Sequence, residues 1–537
     1  MLESLSSLED QRLNYAELHI EKTGVSSESF ENLRVSMAMD SPMWETLHFC
    51  LQKLDEPVME KLVPRLIQLV RSGVGLNTRV GVSRFIDLMM HQHGPQMKKF
   101  TGVLLKVLKT AAQEEKSPAA RQALVSACVS VAKYADNTQV QSLVEDVITL
   151  FNENIPNTKI TSALLLKGLS NQAHNIFVGY HALVLPSAFI ARFDDDKTVS
   201  NMFEELWEES ISGESIALQL YAAEIVQLAI KGLSNTSWTH KKRCARALTR
   251  LAETAGPSIA PYVEPLLSAL LEELPGHLWE GKEVLLDAVS AICRCYSTTI
   301  SECSEVKKVD WQTIGSAVLT ACSKRKTNYR NAALSCLEQV FLHCDNETVH
   351  CEAFSFLLQH CSTTVPSKGE IHDGNQVDGN IASSLEKTLL SFKANLQHVS
   401  ICIIRNRFEE LTSCLAEKLT GSYTWQIKLA TVATIQELVG RISKDGYDEG
   451  HMHIVKSMEQ LLLGLLECIR SVKVGQVRIT CLQCMSALLE AGKWEIGKAV
   501  KECLLLLSEL ERDPSVKAVM ETLLTTLSSN TTDLATT

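Results

Sequence analysis

Cys481-Leu-Gln-Cys484 is a CxxC pair, the spacing with which thiolates grip zinc or exchange a disulfide. A closed zinc site needs four ligands, and no second CxxC or HxxxH lies at finger-like distance. A denser group, Cys336, His343, Cys344, His350, Cys351, His360 and Cys361, mixes two good zinc donors. Its His and Cys residues fall at no regular helical interval, and Cys336 has a place in a core pattern described below, so packing is the expectation. Gly73-Val-Gly-Leu-Asn-Thr-Arg79 has the look of a phosphate-cradling loop at a helix start. It lacks the third glycine of a dinucleotide fingerprint and the Gly-Lys-Ser/Thr ending of a P-loop. A tight turn between helices is expected there. No HExxH, GxSxG or kinase-type set occurs, and no carboxylates are forced by sequence into a buried pair. The chain is expected not to be an enzyme and to use no cofactor and no metal.

The acidic residues Asp194, Asp195, Asp196, Glu204, Glu205, Glu208 and Glu209 are another matter. They form either a solvated ridge or a docking surface for a basic partner, with Trp207 as its anchor. Trp207 also sits at a core-like offset, which argues against its exposure.

What must position these groups is a repeat. A cation followed by apolar residues at +3, +6, +7 and +10 recurs nine times, at intervals near 40 residues or about twice that. Arg79, Arg121, Lys241, Lys282, Arg330 and Arg478 begin the clear copies; Lys159, Lys428 and Lys517 begin looser ones. Arg121, for example, is followed by Leu124, Ala127, Cys128 and Val131, and Cys481 and Cys484 are the +3 and +6 residues after Arg478. Such spacing lays one apolar stripe along a helix. Second amphipathic segments, often with proline near the first turn, precede the stripes, and strand signals are nearly absent. The fold expected is all-α: an α-solenoid of HEAT-like antiparallel helix pairs wound into a curved superhelix. A cation at the start of an inner helix faces the positive end of that helix, so a ladder of ion pairs between repeats is expected. The segments expected are a polar, partly ordered stretch over 1–40, repeats over 41–362, a mobile loop insertion over 363–383, repeats over 384–527 and a disordered tail over 528–537.

Composition narrows the partners. Acidic residues number 63 against 52 basic ones, a net charge of −11, which argues against nucleic acid as a general ligand. The basic clusters Lys241–Arg243 and Lys324–Lys326 read as solvated turn residues. Seventeen cysteines are too dilute for a disulfide framework, and many of them lie on apolar stripes, which suits the cytosol or nucleus. The first residues lack the basic start and apolar run of a signal peptide. No apolar stretch reaches the ~20 residues of a membrane span, so no direct membrane insertion is expected.

Three passages carry a more specific likeness. They are Ser72-Gly-Val-Gly-Leu-Asn-Thr-Arg-Val-Gly81, Phe203-Glu-Glu-Leu-Trp-Glu-Glu209, and Pro261-Tyr-Val-Glu-Pro-Leu-Leu continuing to Trp279-Glu-Gly-Lys-Glu-Val-Leu-Leu286. With Ser237-Trp238 they resemble the C-terminal region of the large HEAT-repeat proteasome adaptor and scaffold family, over about residues 60 to 300 and then more weakly to about 525. Where that family commonly has a further glycine after the arginine, this chain has Val80. The resemblance implies a non-enzymatic scaffold whose partners are proteasome subunits of the regulatory and core particles. It also implies roles in assembly checking, restraint of proteolysis and placement of proteasomes, including at endomembranes through partners. A nuclear transport receptor or another HEAT-array scaffold is the alternative. A truncated solenoid leaves an uncapped apolar end, which predicts weak self-association through the first repeats.

Overall fold

The computed structural model describes residues 1–8, 27–153, 155–301, 309–363, 376–445, 452–491 and 497–532. Among the described residues there is helix and no strand, in two compact units, Met1–Ser258 and Ile259–Thr537.

The first unit holds α1 (Ser27–Met39), α2 (Pro42–Leu51), α3 (Glu56–Ser72), α4 (Leu76–Met97), α5 (Thr101–Glu114), α6 (Pro118–Ala132), α7 (Asn137–Asn152), α8 (Pro156–Gln172), α9 (His181–Ala191), α10 (Lys197–Ser210), α11 (Ala222–Leu233) and α12 (Trp238–Thr254). Local chemistry starts them: Asp55, Ser117, Asp136 and Asp196 each accept a hydrogen bond from a first-turn N–H, and Pro118 and Pro156 take positions whose N–H would be unpaired anyway. Helices α4, α6, α8 and α10 lie side by side as an inner row, while α3 and α5 pack together outside it. The expected stripes are the seam of that row. Val82, Phe85, Ile86 and Met89 of α4 are buried, as are Leu124, Ala127, Cys128 and Val131 of α6.

The second unit repeats the scheme with α13 (Val263–Glu273), α14 (Glu283–Cys295), α15 (Trp311–Cys322), α16 (Thr327–His343), α17 (Glu347–Thr363), α18 (Gln376–Leu396), α19 (Phe408–Thr420), α20 (Trp425–Asp445), α21 (Met452–Ser471), α22 (Gly475–Ala491), α23 (Gly497–Leu510) and α24 (Pro514–Thr532). Its inner row is α14, α16, α18, α20, α22 and α24.

Helix α18 is one of two inner helices, with α10, that the cation pattern skips. Its inner face is polar: Ser384, Thr388, Ser391 and Asn395 are all buried. The hydroxyls return to backbone carbonyls, Thr388 to Ser384 and Ser391 to both Lys387 and Leu334 of α16, so burial leaves them satisfied. Of the loop insertion expected over 363–383, residues 364–375 lie outside the described residues. The chain is already helical from Gln376, so the later part of that segment belongs to a repeat. Likewise the tail expected from 528 continues α24 to Thr532, and 533–537 lie outside the described residues.

One segment, His174–Ala191, has the length and apolarity of a membrane span. It is divided among His174–Phe177, Val178–Tyr180 and α9, and Val184, Leu185, Ala188 and Phe189 are buried in the protein core.

The glycine-rich turn before α4 has a packing role. A 3-10 helix, Leu2–Leu8, lies against α4 with Leu5 fully buried. Ser6 Oγ accepts from the Thr78 N–H at 3.1 Å and meets the Thr78 hydroxyl at 2.9 Å, so this segment supplies the side-chain cap that α4 lacks. Gly75 has φ +88, and a Cβ there would meet Ser6; a Cβ on Gly81 would lie 2.3 Å from Leu5 Cδ1. Both glycines are therefore required by the segment laid over them. Gly81→Val is expected to release Leu2–Leu8 while α6 onward stays folded. Hydrogen exchange should show lost protection confined to Leu2–Leu8 and the first turn of α4; unchanged protection would disprove this role for Gly81.

Candidate interaction surface

The acidic run begins in the turn after α9. Asp194 is not part of a surface: its side chain is 1% exposed. Its carboxylate accepts from Lys159 Nζ of α8 at 2.9 and 3.2 Å, from Arg243 Nη1 of α12 at 3.1 Å and from the Asp196 N–H at 3.1 Å. Burial alone would raise its pKa, but the Lys159 hydrogen bond and the two cations hold it below the usual carboxylate value. Arg243, expected in a solvated turn, is also buried; it donates to Asn152 Oδ1 at 3.1 Å and lies 4.4 Å from the centre of the Phe151 ring. Three helices are thus tied by one carboxylate.

The remaining acids divide in the same way. Asp195 pairs with Lys242 and Arg246, each at 2.9 Å. Asp196 caps α10 through the Thr198 and Val199 N–H groups. Glu204 takes a two-pronged contact from Arg192 at 2.6 Å for both bonds, and Arg192 reaches Glu214 at 3.0 Å. Glu205 pairs with Lys167. Glu208 and Glu209 are exposed and enter no ion pair or hydrogen bond among the described residues. Trp207, weighed as an anchor, is 1% exposed and packs on Phe189 at 5.1 Å between ring centres. The acidic surface left exposed and unpaired is therefore narrower than the run: Glu208 and Glu209, flanked by partly neutralised Asp195 and Glu205.

The cations that begin the stripes meet several kinds of partner. Arg79 pairs with Glu115 of the next repeat at 2.8 Å, and Arg478 with Glu511 of the next. Arg121 instead donates to the Glu115 carbonyl at 2.7 Å and to Asn157 at 3.1 Å. Lys282 is buried and donates to the carbonyls of Pro275 and His277. Arg330 donates to Ser384 at 3.1 Å. Lys241 is half-buried in the first turn of α12. Helix ends expose unpaired carbonyls, and a cation can donate to these as well as to a carboxylate.

The candidate metal ligands do not converge. Among the described residues no three His, Cys, Asp or Glu side chains could hold one ion. Cys481 and Cys484 are buried, with Cys484 pushed up to about 12 by burial. Cys336 and Cys361 are buried with raised pKa values, and His350 has its Nε2 at 2.7 Å from the Cys344 carbonyl.

Stacked helix pairs whose charges are spent between repeats define a helical-repeat scaffold. Comparison with known proteins makes the class particular. Residues 1–152 match the family model "Proteasome adapter and scaffold protein ECM29, HEAT-repeat domain", and residues 322–526 match "ECM29, C-terminal ARM-like repeats". The chain belongs to the ECM29 family. It is 30% identical over 351 residues to the human proteasome adapter and scaffold protein ECM29, covering 63% of this chain and 19% of that one. To proteasome component ecm29 of Schizosaccharomyces pombe it is 23% identical, covering 83% and 26%. The chain thus spans about a fifth to a quarter of the length of these relatives. Among solved structures, that of Kap121p aligns with 97% of this chain and 52% of its own at 14% identity and a TM-score of 0.45.

Asp194→Asn leaves two buried cations facing a neutral amide and is expected to cost about 3 kcal/mol in a denaturation curve. Glu209→Gln should stay within about 0.5 kcal/mol of the parent. His240, buried beside the same cluster, is lowered from 6.5 to about 4 by burial and then by Arg243 and Lys159. The unfolded chain takes up that proton first, so stability should fall as pH drops from 6.5 towards 4. His240→Leu should flatten that part of a melting-temperature profile; an unaltered slope would assign the titration elsewhere.

Proposed function

We propose that this chain is a proteasome-binding scaffold that bridges the regulatory and core particles and serves assembly checking, restraint or localisation of the proteasome. The observation that carries the reading is the match of both ends of the chain to ECM29 family models. The names of the relatives agree with it: a proteasome adapter and scaffold protein in human, a proteasome component in two yeasts. The geometry suits it as well. Repeats that satisfy their charges internally leave their outer faces free, where several weak contacts sum through effective concentration. The exposed Glu208–Glu209 edge is the candidate contact for a basic partner surface. A cytosolic or nuclear setting suits a chain whose described cysteines are all free thiols.

The same reading includes weak self-association through the first helices. Leu33 and Met37, one turn apart on α1, and Phe49 of α2 are each more than half exposed.

Crosslinking mass spectrometry on material captured by the tagged chain is expected to recover subunits of both proteasome particles. Capture of a nucleotide-sensitive small GTPase without proteasome subunits would replace this reading with a transport receptor. Glu208→Lys with Glu209→Lys should reduce capture at unchanged melting temperature. Arg121→Glu should do the reverse, since Arg121 holds an inter-repeat turn: lower melting temperature with binding retained below it. Sedimentation at rising concentration should show dimer for the parent and less for Phe49→Ser.

A further inference from the structure

The turn Gly73–Arg79 and the turn Glu114–Lys116 form two walls of a groove of about 710 Å³ in the first unit. It runs between the C-terminal halves of the outer helices α3 and α5, with Val70, Val107 and Leu124 on its floor. Its charges are unequal. Arg79 and Glu115 neutralise one another at 2.8 Å. Arg71, Lys106 and Lys116 are exposed, and their side chains make no ion pair or hydrogen bond among the described residues. Against these three stands one exposed carboxylate, Glu114. Neighbouring cations are used: Lys109 of α5 pairs with Asp146 of α7, and Lys99, just before α5, with Glu56 and Glu60 of α3. Arg71 complements the carbonyl end of its own helix, but Lys106 lies two turns before the end of α5, too far to act as a cap.

The walls are also held in place. Arg121 donates from Nε and Nη2 to the Glu115 carbonyl, and Ser117 N–H donates to the Glu115 carboxylate at 2.9 Å. Opposite, the Gly73–Arg79 turn is fixed by the Ser6 contacts. Val74, within this turn, is 84% exposed. A preorganised groove with an aliphatic floor and a surplus of cations fits one chemistry best.

We propose that this groove binds an extended acidic peptide, with two or more carboxylates placed about an aliphatic side chain. The carboxylates meet Arg71, Lys106 and Lys116 while the aliphatic group covers Val70 and Val107. Nucleic acid fits less well, because Glu114 and Glu115 stand in the wall and the whole chain carries a net charge of −11. The proposal is independent of whether the proteasome is the partner.

The test is fluorescence anisotropy of the full chain with a labelled Asp-Leu-Glu-Leu-Asp-Glu peptide, its Asn/Gln counterpart, and a single-stranded oligonucleotide of equal charge. Saturable binding of the acidic peptide is expected, weakening as salt rises, with little binding of the amide version. Lys106→Glu with Arg71→Glu should weaken it by about tenfold or more, as truncating or reversing paired charges does at other interfaces. Lys473→Glu, an exposed position in the second unit, should change nothing. Both groove positions are exposed, and Lys106→Gln, checked by an unchanged melting curve, separates lost binding from lost folding. Equal binding of the amide peptide, indifference to the groove variants, or tighter binding of the oligonucleotide through the same residues would each overturn the proposal.

Discussion

A cation that begins a buried helix must find oxygen, and in this protein it finds it on the neighbouring repeat or in the turn before its own helix. Burying an ammonium or guanidinium without a partner costs several kcal/mol, about as much as one well-packed leucine contributes several times over. The inner helices therefore cannot slide past one another freely. Arg79 requires Glu115, Arg478 requires Glu511, Lys282 requires two carbonyls at a helix end, and Lys159 with Arg243 requires Asp194. The apolar stripes supply the adhesion between rows, which is non-directional. The charged groups supply the register.

The Asp194 cluster shows the constraint at its tightest. Two cations share one carboxylate, so the site keeps a net positive charge inside the protein, and the ring of Phe151 against Arg243 and the Asn152 side chain absorb part of it. His240, surrounded by this excess, stays neutral well below its ordinary value. Charge and packing here cannot be altered separately.

The helical repeats were legible in the sequence because leucine, valine, alanine and cysteine at +3, +6, +7 and +10 have only one economical use. The stripes of α4, α6, α16 and α22 are buried where the spacing places them. The pattern fails at α18 for a physical reason: Ser384, Thr388 and Ser391 occupy its buried face, with Thr388 and Ser391 donating to backbone carbonyls and Ser384 accepting from Arg330, so a polar stripe is buried with its hydroxyls satisfied. The candidate surface was only half legible. Asp194 and Glu208 are the same kind of residue in a linear reading, and only the positions of Lys159 and Arg243, 35 and 49 residues away, decide which is buried. The glycines of the Gly73–Gly81 turn were visible, but their cause lies about 70 residues upstream, in Ser6 and Leu5.

A scaffold that spends its charges on register has few left for partners, and this makes the remainder informative. Along the acidic run, five of seven carboxylates are engaged within the chain, which leaves Glu208 and Glu209 exposed. Around the turns of α3 and α5 the balance is reversed, and Arg71, Lys106 and Lys116 are what the fold leaves over. Exposed charges that no register needs cost little to keep and little to lose in stability. Their loss would be felt in binding, so in a stacked-helix protein the unpaired charges, more than the charged segments as a whole, mark where a second molecule is met.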